Sequence, residues 1–221
     1  AWNVVFDQIK LRRMFVVNGD ILLRTLMLEA IFVCFTFSAA GFGNVTLAAN
    51  QVLLQFLLIT SHALDGFAFA GEALVGQAYG AKNRSNLRKS ALICVQWGLT
   101  SSAVLAAIFA LMGSDIINLF TKSPEVQIEA MRFFPYIVMI PVIGSVAFML
   151  DGIFLGATQT TVMRNMMAVS VIIYGLSVLI LVPWFENHGL WMSLLIAFLA
   201  RGLTLAMCYP KLEAHAEPAF T

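Results

Sequence analysis

Six long apolar stretches, separated by short polar connections, set the pattern of this chain. They fall at about residues 21–40, 48–74, 91–113, 133–157, 165–185 and 190–209, and a helix needs about 20 such residues to cross bilayer hydrocarbon. The third and fifth hold no charged residue at all. Gly41-Phe42-Gly43-Asn44, Lys82-Asn83-Arg84-Ser85-Asn86 and Glu186-Asn187-His188-Gly189 read as connections. Ser123-Pro124-Glu125 reads as a helix start, with Ser as N-cap, Pro in the first turn and an acid near the positive end of the dipole. The pattern predicts an all-α, polytopic membrane protein with six transmembrane helices spanning residues 20–209. Residues 1–19 read as a polar connector and 210–221 as a tail. The opening Ala1-Trp2-Asn3-Val4 carries no secretory signal pattern, and the chain reads as a piece of a longer one.

Composition sharpens this picture. The chain is 60% hydrophobic and 11% charged, with a mean hydropathy of +0.87, whereas a soluble domain carries about 25% charged residues. Too few charges remain to coat a water-facing surface, so lipid is the expected solvent. The thirteen Lys and Arg are spread through the connections rather than gathered on one face, which gives no nucleic-acid surface. Their order is informative. Lys10, Arg12, Arg13, Arg24, Lys82, Arg84, Arg88, Lys89, Arg164 and Lys211 alternate with connections holding only Lys122 and Arg132. Basic loops stay cytoplasmic, so both ends are expected inside a multi-pass protein of the inner (plasma) membrane. Cys34, Cys94 and Cys208 stand singly in apolar runs, with neither metal-ligand nor disulfide spacing.

Ionisable side chains inside hydrocarbon cost roughly 2.5–3.5 kcal/mol on insertion scales, and therefore tend to face a bundle interior or a wet cavity. Along the second span, Gln51, Gln55, His62, Asp65 and Glu72 fall within an arc of roughly 100° at helical spacing. Such a stripe either lines water or substrate or glues helices together; two carboxylates and a histidine are expensive glue. Thr25, Glu29 and Thr36 share one face of the first span. Asp151 is the single charge of the fourth span, at a depth of roughly 10–15 Å by helical rise. Pro135 and Pro141 lie in the outer half of that span, where each removes an amide donor and can kink the helix. Gly152 and Gly156 form a small-residue face for close helix approach. Arg201, two turns from the end of the last span, can snorkel to the interface or pair with a buried acid; snorkelling is the expectation. A buried carboxylate can exchange a proton or bind a cation that restores its charge, which is what an ion-coupled carrier requires. Asp65, Asp151, Glu29 and Glu72 are the coupling candidates, with Gln51, Gln55, His62, Thr25 and Thr36 as cavity-lining candidates. No HExxH, GxSxG, phosphate loop or Cys pair is present, so no enzyme, metal site or cofactor is expected beyond a coupling H+ or Na+.

The run from Asp65-Gly66-Phe67-Ala68 through Gly71-Glu72-Ala73 to Gln77-Ala78-Tyr79-Gly80-Ala81 resembles the second helix of the C-terminal lobe in MATE (multidrug and toxic compound extrusion) transporters, most closely their DinF-like branch. Asn18-Gly19-Asp20, the run Asp151-Gly152-Ile153-Phe154-Leu155-Gly156, Met163-Arg164-Asn165 and Gly189-Leu190-Trp191 are similar to the same branch. The resemblance covers essentially the whole chain. It implies one six-helix lobe of a twelve-helix transporter, partnered by an N-terminal six-helix lobe and exporting small amphipathic, often cationic aromatic compounds. It also implies rocking of the two lobes about a central cavity, with helices 1, 2 and 4 here lining one side. Some relatives bind a coupling cation through acids on the helices matching those of Glu29 and Asp151. The competing readings are a lipid-linked oligosaccharide flippase, which would favour a cavity rich in Arg and Lys, and a purely structural bundle.

Overall fold

The computed structural model describes residues 7–216, apart from the side chain of Arg13. The first six residues of the predicted connector and the last five of the predicted tail lie outside the described residues. Among these, all regular structure is helical: α1 Gln8–Ala40, α2 Asn44–Gly80, α3 Arg84–Phe120, α4 Pro124–Gly156 and α5 Thr160–Ala214. All five are long and apolar enough to cross a membrane.

The helices outrun the spans read from the sequence. Even the shortest, at 33 residues, is about 50 Å long at 1.5 Å per residue, against hydrocarbon of about 30 Å. Hydrophobicity marks only the part of a helix that lipid demands; propensity and caps carry it further. At the start of α1, Asp7 accepts a hydrogen bond from Ile9 N at 3.0 Å, so residues 8–19 are helical and continuous with the first span. Asn83 caps α3 by accepting from Asn86 N at 3.0 Å. Ser123 holds the cap position of α4 with Pro124 and Glu125 in the first turn, yet its side chain makes no capping bond.

α5 is two helical limbs joined by a kink at Glu186, whose φ of 48° and ψ of −128° are not helical. The reversal is tight. A Cβ on Gly189 would sit 2.4 Å from the Leu181 carbonyl oxygen, so only glycine lets the limbs 160–185 and 187–214 meet there. The predicted fifth and sixth spans lie on these two limbs.

α4 is the central helix, packed against α2, α3 and α5. It crosses α2 where Cβ atoms on Gly152 and Gly156 would each lie 2.3 Å from the carbonyl oxygens of Ala68 and Glu72. The small-residue face read from the sequence is the contact that brings the two backbones together. Pro135 and Pro141 lie within α4, which runs on past both. Aromatic packing fills one half of the bundle: Phe35 meets Trp191 edge-on at 4.8 Å, and Phe56 meets Phe109 at 5.1 Å. In that half Asn50 and Asn187 exchange amide hydrogen bonds of 2.7 and 3.0 Å, and Trp191 Nε1 donates to Asn50 Oδ1 at 2.9 Å. This buried clasp pairs the two amides and the indole N–H, and it ties the reversal of α5 to α2. α1 is peripheral, packing on α5 and less on α2.

Candidate functional site

The polar stripe of α2 serves two compartments, one toward each end of the helix. Near the end carrying most of the Lys and Arg, α1, α2, α4 and α5 converge on a cavity of about 250 Å³ lined by Arg24, Asp65, Glu72, Asp151 and Arg201. Asp151 Oδ2 accepts from both Arg24 Nη2 and Arg201 Nη2. Arg201 is only 3% exposed and Asp151 8%, and the Arg201 guanidinium also lies 5.9 Å from the centre of the Phe148 ring. Snorkelling is therefore corrected: Arg201 turns inward, because an acid within reach repays its desolvation better than a longer path to water. Arg24, counted from the sequence among the connector bases, is likewise part of the buried cluster.

Asp65 and Glu72 line the same cavity without an ion pair or hydrogen bond among the described residues. Two guanidinium groups thus face three carboxylates, and the cavity carries one net negative charge when all are ionised. Arg24 Nε and Arg201 Nη1 are buried without hydrogen-bond partners, which leaves two donors with unused capacity. The cluster rests on a second buried acid. Asp20, one helical turn before Arg24 on α1, accepts from Arg164 Nη1 at 2.5 Å and Thr161 Oγ1 at 2.6 Å at the start of α5. Sequence reading missed this role; the four-residue spacing of Asp20 and Arg24 on one face was the available signal.

Toward the other end, a groove of about 580 Å³ opens between α1 and α2. Glu29, Thr36, Gln51 and Gln55 supply its polar positions, with Phe32 and Phe37 among its apolar walls. Gln51 donates to Thr36 Oγ1 at 3.3 Å. The volume lies within the ~300–1,000 Å³ of sites for small organic ligands, which the charged cavity does not reach. Of the candidates read from the sequence, Asp65, Glu72 and Asp151 share the cavity, and Glu29, Thr36, Gln51 and Gln55 share the groove. Thr25 and His62 are exposed and line neither. Among the described residues no three of His, Cys, Asp and Glu converge as metal ligands would.

Known proteins resemble this chain in sequence and fold. A family model described as MatE matches residues 21–181. DNA damage-inducible protein F of Escherichia coli is 41% identical over 96% of this chain and 45% of its own length. Protein DETOXIFICATION 42 of Arabidopsis thaliana is 31% identical over 82% of this chain and 36% of its own. Among solved structures, the Vibrio cholerae MATE transporter VcmN in the bent form superposes with a TM-score of 0.85 at 17% identity, covering 98% of this chain and 50% of that one. The chain spans about half the length of these relatives or less.

Proposed function

This chain belongs to the MatE family of multidrug and toxic compound extrusion transporters, and we propose that it forms one six-pass lobe of a secondary antiporter. In this reading it exports amphipathic, cationic or aromatic compounds in exchange for protons or sodium ions, with an N-terminal lobe as its partner in the inner membrane and both ends of the chain in the cytoplasm. The observation that carries it is the pairing of a ligand-sized groove with a separate, net-negative ionisable cavity along one exposed face of α1 and α2. The groove offers Glu29 to a cationic centre and Phe32 and Phe37 to flat rings, through which cations and aromatics are held. The cavity supplies the ion exchange.

Within the cavity the acids take different parts. A cation approaching Asp151 meets the two guanidinium groups that already share its Oδ2. Asp65 and Glu72 line the same cavity with no guanidinium bonded to their oxygens, so we assign exchange to them and a positioning role to Asp151. Loading Asp65 with a proton removes the negative charge beside Arg24 and Arg201 and shifts the balance that holds α1 against α4. Rocking of the lobes then carries the groove from one side of the membrane to the other. The two arginines favour the flippase reading, but three acids outnumber them, and a large anionic headgroup would meet net repulsion.

The test uses full-length transporter in proteoliposomes, with uptake of the fluorescent cation ethidium under an imposed pH or sodium gradient. One gradient drives uptake in the wild type, and Asp65→Asn lowers it toward the rate seen without a gradient. Equal rates in Asp65→Asn and wild type, or uptake indifferent to both gradients, would refute the assignment.

A further inference from the structure

A second groove, of about 370 Å³, lies at the basic end of the bundle, between the end of α2 and the start of α3. Its polarity changes along its length. By the connection between the helices it is lined by Asn83, Asn86, Lys89 and Ser90, and one to two turns deeper by Leu74 and Ile93. No acidic side chain lines it. Lys89 is exposed and has no acidic partner among the described residues. Below Ile93 the same stripe of α3 continues at helical spacing to Trp97, which is 60% exposed, as expected of a face on lipid.

We infer that this groove binds one anionic phospholipid, its headgroup phosphate on Lys89 with Asn86 and Ser90 as neutral donors and an acyl chain along Leu74, Ile93 and Trp97. Three features converge on that occupant. The ammonium group matches the phosphate charge, and amides and a hydroxyl donate to phosphate oxygens without adding charge. The apolar wall lies one to two turns beyond the polar end, in the order in which hydrocarbon follows a headgroup. A basic cluster at a membrane surface attracts anionic lipid by about fivefold per Lys or Arg. Lys82 and Arg88 stand exposed around the same connection and add to the local field. The site is distinct from the charged cavity, which lies between α1, α2, α4 and α5, so lipid here would steady the α2–α3 corner without touching the exchanging acids.

Native mass spectrometry of the full-length transporter, with phosphatidylglycerol and phosphatidylcholine of identical acyl chains as competing probes, tests this. The wild type retains phosphatidylglycerol in preference, and Lys89→Gln reduces that retention about fivefold, while Lys122→Gln at the opposite end leaves it unchanged. Lys89→Arg restores it. Equal retention in Lys89→Gln and wild type, or no preference for the anionic lipid in the wild type, would overturn the proposal. Displacement of the lipid by millimolar inorganic phosphate would also overturn it, in favour of a free-phosphate site.

Discussion

Replacing Asp151 by Asn would leave Arg24 and Arg201 facing each other without the carboxylate oxygen that both now hold. Removing one partner of a buried ion pair costs about 3–5 kcal/mol, because a charge stays buried unmatched. Asp65 shares the cavity with both arginines but makes no ion pair or hydrogen bond with either, so a change to Asn there strands no paired group. Asp151→Asn should therefore lower the thermal midpoint in detergent clearly, and Asp65→Asn should not. Matching midpoints for Asp151→Asn and wild type would contradict the positioning role. The acids themselves were legible in the sequence, since an ionisable group on an apolar helix announces itself. Their partners were not. Arg24 lies close enough to the basic connector to be counted with it, and Arg201 close enough to the end of its helix to reach water. Nothing in a single sequence says which helix faces cross. Asp20, Asn50 and Asn187 went unread for the same reason, because their hydrogen bonds join residues up to 144 positions apart.

At the level of elements, the crossing of α2 and α4 sets the site. Asp151 and Glu72 border the two points where glycine lets backbones touch, at Gly152 on Ala68 and Gly156 on Glu72. Gly156→Val places a side chain against a carbonyl oxygen of a packed helix, which cannot swing aside as a flexible side chain would. Overpacking of this kind costs about 1–3 kcal/mol or more. Folded yield and thermal midpoint should both fall, and transport with them. A Gly156→Val protein that melts and transports as the wild type does would show that α2 and α4 are not held this closely. This face and the helix start at Ser123 were readable because each depends on local spacing. The ends of the helices were less so, since apolar length reports where lipid lies rather than where hydrogen bonding stops. The break at Glu186 falls within the connection read between the fifth and sixth spans.

Across the whole molecule, most of α1 and the Gln51, Gln55 and His62 part of the polar stripe of α2 lack cover from the described residues. Gln51, Gln55, Glu29 and His62 are exposed, as are Leu22, Leu26 and Phe37 on α1. The chain spans 45% of its Escherichia coli relative, and the proposed second lobe would supply the missing wall. Polar side chains at mid-helix depth are tolerable only if that wall encloses water rather than lipid. Labelling decides this most directly. In full-length transporter with Cys34, Cys94 and Cys208 replaced by Ser, Gln55→Cys is exposed to a membrane-impermeant maleimide and compared with Val104→Cys on the outer face of α3. The account predicts that Gln55→Cys is labelled, that ethidium slows the labelling, and that Val104→Cys stays unlabelled. A Gln55→Cys as unreactive as Val104→Cys would place the groove against lipid and contradict the account.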